Sequence, residues 1–191
     1  MTNDFITIVS GLPRSGTSMM MQMLVAGGIP ALTDNIRRAD EDNPRGYYEL
    51  EAVKKVKEDT SFLDAARGKV VKMVHLLLYD LPPRHRYRVV FMRRQIDEVL
   101  ASQKVMLERL GKPGGKLTDA DLARVFESQI AQLQEWLAGQ PHFAVCYVNY
   151  NHVIRDPAPI VEELNGFLGG ALDTAAMMRS VDPSLYRRRQ A

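Results

Sequence analysis

The stretch GLPRSGTS, Gly11 to Ser18, follows directly on an apolar run, FITIVS, and leads directly into TSMMMQMLVAGG. FITIVS, Phe5 to Ser10, is rich in β-branched residues and reads as a buried strand. The methionine-rich segment reads as a helix stopped by Gly27 and Gly28, its methionines serving the core. A glycine loop joining a strand to a helix narrows the fold sharply. Its N–H groups and the first turn of the helix form a nest for an anion, and the strand belongs to a parallel sheet.

The remaining pattern supports that reading. KVVKMV (Lys69 to Val74), YRVVFM (Tyr87 to Met92) and HFAVCYV (His142 to Val148) are further strands. QIDEVLASQKVMLERL is helical, with Ile96, Val99, Leu100, Val105 and Met106 near one face. Thr118, with Asp121 as its capping partner, starts a long helix whose apolar stripe is Leu122, Phe126, Ile130, Leu133 and Leu137. Gly139 and Pro141 end it, and Asp156 with Pro157 opens one more helix. Residues 30–48 read as a loop or lid, followed by a short helix from about Glu49 to Glu58. Strands alternating with helices predict an α/β, three-layer P-loop-type fold, with a mainly parallel central sheet of four or five strands and helices on both faces. The 191 residues suit one domain, 1–191.

Composition sets the setting. No apolar run reaches the ~20 residues of a membrane span, and no secretory leader is evident. Cys146 is the only cysteine, which excludes an internal disulfide and fits a cytoplasmic protein. A net charge of +2 gives no argument for nucleic acid.

The loop departs from the nucleotide-hydrolase pattern G-x-x-x-x-G-K-[ST]. Thr17 stands in the lysine position, and Arg14 appears earlier in the loop. The expected strands exit into His75, into Arg93 and Arg94, and into Asn149, so none presents the carboxylate that Mg²⁺ needs. The site reads as cations and hydroxyls with no metal. Cys146 lies inside a strand with no arginine placed around it, which suits a core residue better than a phosphatase nucleophile.

SGLPRSGTSMM resembles the 5′-phosphosulfate loop of sulfotransferases that use 3′-phosphoadenosine 5′-phosphosulfate (PAPS), in particular the P-R-S-G-T of tyrosylprotein sulfotransferases. VVFMRRQIDEVLASQ is similar to the family's second signature, a strand followed by R-x₇-S, here Arg94 and Ser102. YNHVIRDPAPIVEELNGFLG looks like the strand exit and late helix of bacterial members. The family's usual N-P after the second arginine is QI here, and the chain is short for the family.

The resemblance implies PAPS as donor, PAP (adenosine 3′,5′-bisphosphate) as product, and a hydroxyl or amine on a small molecule or peptide as acceptor. It implies that Pro13, Arg14, Ser15, Gly16, Thr17 and Ser18 hold the 5′-phosphate, with Arg14 stabilising the leaving charge. Arg94 and Ser102 would hold the 3′-phosphate; the alternative for Arg94 is an ion pair with Asp97 or Glu98. Two residues compete as the base. Glu49 lies in GYYELE, like the glutamate that follows the P-loop helix in tyrosylprotein sulfotransferases. His75 ends K-x-x-H, against K-x-H in cytosolic members, and that spacing points it away from Lys72 in a regular strand. Lys72 is a candidate to assist the leaving group. The C-terminal DPSLYRRRQ reads either as a disordered tail or as a basic clamp over the cofactor, with Arg187 the candidate contact among its arginines. The expected assembly is a monomer or homodimer. A nucleotide-binding P-loop protein without this chemistry, or a small-molecule kinase, is the competing class.

Overall fold

β1 (Ile6–Gly11), β2 (Val70–Lys72), β3 (Tyr87–Arg93) and β4 (Phe143–Asn149) run parallel in the order β2-β1-β3-β4. They form the sheet of a computed structural model that describes residues 4–34, 36, 46–111 and 117–182. Alternation along each strand sends side chains to two separate cores. Val9, Val70, Val90, Met92, Cys146 and Val148 face one layer, built from α1 (Thr17–Ala26), α6 (Pro157–Leu168) and α7 (Thr174–Ser180). Ile6, Ile8, Val71, Tyr87, Val89 and Phe91 face the other, which α4 (Asp119–Ala138) covers through Leu133 and Leu137. The three layers and the parallel sheet match the sequence expectation, with four strands among the described residues.

The helix signals have identifiable atoms behind them. Thr118 Oγ1 accepts from the Asp121 N–H at 3.1 Å, and Asp156 Oδ1 accepts from the Ala158 N–H at 3.4 Å. Gly27 closes α1, and Gly28, at φ 102°, turns the chain away.

Two expectations are corrected, and one short helix is added. The second strand stops at Lys72, and His75 opens a 3-10 helix, His75–Asp80. The helix after Glu49 is a 3-10 turn, Glu51–Lys55, followed by the short α2 (Phe62–Ala65). The exit of β4 winds into α5 (Tyr150–Arg155), capped by Asn149, whose Oδ1 accepts the N–H groups of Asn151 and His152 at 2.9 and 3.2 Å.

β1 and β3 are adjacent, so the loops at their C-terminal ends open side by side. α3 (Ile96–Arg109) leaves β3 there, next to the glycine loop. This is where parallel α/β sheets place their ligands.

Candidate active site

The glycine loop turns on three left-handed residues: Gly11 at φ 147°, Arg14 at φ 70° and Gly16 at φ 99°. A Cβ on Gly11 would stand 2.7 Å from the Met92 carbonyl oxygen, and one on Gly16 would stand 2.4 Å from the Tyr150 ring. Neither position admits a side chain, so the backbone of β3 and the ring from α5 close directly on the loop. The Ser15 N–H donates to the Leu12 carbonyl at 3.1 Å, forming the tight turn. Gly16 is the N-cap of α1, and no side chain caps that helix. The first-turn N–H groups of α1 therefore point into the loop with the positive end of the helix dipole behind them.

A cleft of about 300 Å³ opens over this loop. Its polar side carries Arg14, Thr17, Ser18, Lys72 and Arg94, with Glu49 beside Lys72. Its apolar side is made by Met19, Met73, Val74, Val105 and Met106. Arg14 Nε donates to Ser102 Oγ at 2.9 Å, which joins the phosphate loop to α3. Arg94 Nη1 donates to the Arg14 carbonyl at 3.1 Å and supports the left-handed turn from beneath.

Arg94 is itself held on two sides. Glu98 Oε2 accepts from Arg94 Nε at 2.7 Å, and the Tyr150 ring lies 4.4 Å from the guanidinium carbon. Asn151 Nδ2 donates to the other Glu98 oxygen at 3.1 Å. The ion pair considered for Arg94 at the sequence level is therefore present, and Arg94 lines the cleft as well.

On the opposite wall, Lys72 Nζ donates to the Tyr47 carbonyl at 2.8 Å and to Ser18 Oγ at 3.1 Å, with Glu49 Oε1 at 3.9 Å. Glu49 is anchored through its own backbone: its carbonyl accepts from Thr33 Oγ1 at 2.7 Å and from the Asp34 N–H at 3.3 Å. Next to it Tyr48 holds φ 53°, a conformation that non-glycine residues adopt chiefly where surrounding structure demands it.

Of the residues singled out in the sequence, Pro13, Arg14, Gly16, Thr17, Ser18, Glu49, Arg94 and Ser102 all border the cleft. Ser15 does not border it with the others; its hydroxyl is buried beneath the loop without a protein partner. His75 is also buried outside the cleft lining, 4% exposed, with Nε2 3.1 Å from Gln129 Oε1 of α4. Burial holds its pKa below the ordinary histidine value, against the opposing effect of Gln129 and the Gly11 backbone. Arg187 lies outside the described residues. Tyr47, Tyr150 and Arg109 border the cleft without having been singled out in the sequence. Tyr150 carried a usable signal, since it is the first residue beyond a parallel strand, at the sheet end where ligands bind.

The arrangement offers an anionic ligand the cations and hydroxyls of Arg14, Thr17, Ser18, Lys72, Arg94 and Ser102, together with the uncapped N-terminus of α1. Among the described residues, Glu49 and Asp182 are the carboxylates that border the cleft, and Glu49 is the one beside Lys72.

These features define a P-loop transferase fold whose loop lacks the nucleotide-hydrolase lysine. A family model for the sulfotransferase domain matches residues 5–187, and the chain belongs to that family. No curated protein matches it significantly. Among solved structures it is similar to sulfotransferase STF1 from Mycobacterium tuberculosis, at 18% identity and TM-score 0.63, over 97% of this chain and 74% of that one. Mouse sulfotransferase SULT7A1 complexed with PAP aligns at 14% identity and TM-score 0.58, over 100% of this chain and 68% of that one. Retinol dehydratase in complex with androsterone and PAP aligns at 17% identity and TM-score 0.53, over 91% of this chain and 62% of that one. These likenesses share the three-layer fold with a parallel sheet.

Proposed function

We propose that this chain transfers a sulfuryl group from PAPS to a hydroxyl or amine of a small-molecule or peptide acceptor. The observation that carries the reading is the Arg14–Ser102 contact at 2.9 Å, which joins the two signature segments at one cleft. The donor set fits PAPS: hydroxyls, cations and free helix N–H groups suit two phosphates and a sulfate without a metal. The PAP in the SULT7A1 and retinol dehydratase structures supports the same ligand. The single cysteine, buried in β4, supports a cytoplasmic setting. Among the described residues no helix is long and apolar enough to cross a membrane.

When bound, PAPS supplies the sulfuryl group and carries away the bridging oxygen as PAP. The chain's own residues then have distinct tasks. Gly16, Thr17 and Ser18 hold the 5′-phosphate with backbone and hydroxyl donors. Ser15 contributes its place in the turn, since its hydroxyl is buried below the loop. Arg14 stabilises the charge that develops on the leaving oxygen, a task suited to a permanently charged group. Lys72 stands on the other side of Ser18 and assists it. Arg94 and Ser102 hold the 3′-phosphate, with Arg187 as a further candidate contact. Glu49 accepts the acceptor's proton. Of the two carboxylates that border the cleft among the described residues, Glu49 and Asp182, it is the one next to Lys72, whose Nζ lies 3.9 Å from Oε1. His75 is the weaker base, because its ring is buried against Gln129 of α4 and does not line the cleft. The apolar side of the cleft supports an acceptor with an apolar body next to its reacting group, like the androsterone of the retinol dehydratase complex.

The test is ligand-dependent stabilisation followed by transfer. PAP in the presence of EDTA should raise the melting temperature, because a ligand that binds only the native state stabilises it. Labelled PAPS should then pass its sulfate to members of an acceptor panel of phenols, alcohols, amines and peptides. Stabilisation by ATP only when Mg²⁺ is present, with no response to PAP, would instead assign the cleft to a kinase or nucleotide-binding protein.

A further inference from the structure

We propose that Glu98 is a positioning residue for this cleft. It orients the guanidinium of Arg94 and, through Arg94, holds the Arg14 turn of the phosphate loop. The inference rests on the reading of the cleft as a PAPS site.

Glu98 lies one helical turn beyond Arg94, on the first turn of α3. Its side chain is 2% exposed and that of Arg94 is 8% exposed, so both charges have left water. A carboxylate so placed is tolerated only when its oxygens are engaged. Both are: Oε2 takes Arg94 Nε at 2.7 Å, and Oε1 takes Asn151 Nδ2 at 3.1 Å. The grip on Nε matters. A carboxylate facing the terminal nitrogens would compete with a phosphate for them. One that holds Nε grips the inner edge of the planar group and fixes its rotation, while Nη1 reaches the Arg14 carbonyl at 3.1 Å. Tyr150 fixes the face of the same plane at 4.4 Å. The carbonyl that Arg94 holds belongs to a non-glycine residue at φ 70°, which needs such support. Glu98 thus links α3, α5 and the phosphate loop through one guanidinium, and it need not touch the ligand.

Positioning differs from mere charge balance in what it predicts. Glu98→Gln loses the charge but keeps an oxygen for Nε, and Asn151 can turn its amide to match. Glu98→Asp keeps the charge but withdraws the oxygens by one methylene. The measurement is the ratio of dissociation constants for adenosine 5′-monophosphate and PAP by calorimetry, which isolates the 3′-phosphate and needs no acceptor. With positioning, Glu98→Asp lowers the ratio about tenfold and Glu98→Gln keeps it within about threefold. A ratio unchanged in Glu98→Asp overturns the inference, whether or not the melting temperature falls, and so does a ratio that moves only in Glu98→Gln. Should Glu98→Asp not fold, Asn151→Ala releases Oε1 and must lower the ratio about threefold; no change there also overturns the inference. A wild-type ratio near one would sink the PAPS reading itself, whereas a large wild-type ratio unmoved by Glu98→Asp sinks the positioning role alone.

Discussion

Arg14 and Ser102 lie 88 residues apart in the chain, and their side chains meet at 2.9 Å. One belongs to a loop that ends β1, and the other stands well inside the helix that follows β3. Adjacent parallel strands bring them together, and the backbone carbonyl of Arg14 receives Arg94 from the same second segment. The two signatures are therefore one construction, and removing either half has a separable effect.

Arg94→Ala should weaken PAP far more than adenosine 5′-phosphosulfate, which lacks the 3′-phosphate. One charge-assisted contact is worth about 1.5–3 kcal/mol, or about 10- to 150-fold in affinity. Calorimetric titration of both ligands checks this. Equal losses would mean that Arg94 acts only by supporting the Arg14 turn.

Arg14→Ala should lower the transfer rate more than the affinity for PAPS, because charge grows on the leaving oxygen only in the transition state. Arg14→Lys should keep part of the rate, since lysine retains the charge but loses the planar fork. Single-turnover rates alongside dissociation constants separate the two effects. A change in affinity with no change in rate would assign Arg14 to binding.

Glu49→Gln should reduce the rate by about 10²- to 10⁴-fold while PAP still binds, the range expected for loss of general base catalysis. His75→Asn should leave the rate within a few-fold, because its ring faces Gln129 rather than the cleft. The reverse pattern would move proton removal to His75. It would also require the chain between Lys72 and His75 to turn during the reaction.

His75 should instead appear in the pH dependence of stability. Burial depresses its folded pKa below the ordinary value of 6.5, so the unfolded chain takes up the proton first. The stability this contributes is complete above pH 6.5 and is lost as pH falls through the folded pKa. Melting temperatures recorded from pH 8 to pH 5 should decline more gently in His75→Gln than in the wild type. Some slope should remain, because burial and the charges of Arg84 and Arg67 depress His85 as well. Parallel curves for the two proteins would refute the assignment to His75.

What the sequence disclosed follows the range of the interactions involved. The glycine loop, the α1 helix and the caps at Thr118 and Asp156 depend on residues within one or two turns, and all were legible. The pairing of Arg94 with Ser102 was legible too, through the likeness of this segment to the family's R-x₇-S signature. The turn at His75 was not. Lys72, Met73 and Val74 continue the strand pattern, yet the β2 ladder ends at Lys72, opposite Val9, and the following residues wind into a 3-10 helix. The short α5 was hidden behind β4, because its cap, Asn149, is also the last residue of that strand. The choice of Glu98 over Asp97 as the partner of Arg94 needed Asn151, which is 53 residues away from Glu98 and enters only through the packing of α5.

The placement of β1 between β2 and β3 has a consequence for the order of folding. β1 pairs with partners that begin at Val70 and Tyr87, so the chain must close long loops before either ladder exists. Pairing of this kind is slow relative to helix formation. Helices α1 and α3 can therefore form early without bringing Arg14 near Ser102. The capacity to bind PAP should emerge only with the last, non-local step, so ligand binding would time the completion of the sheet in a refolding experiment better than helix content does.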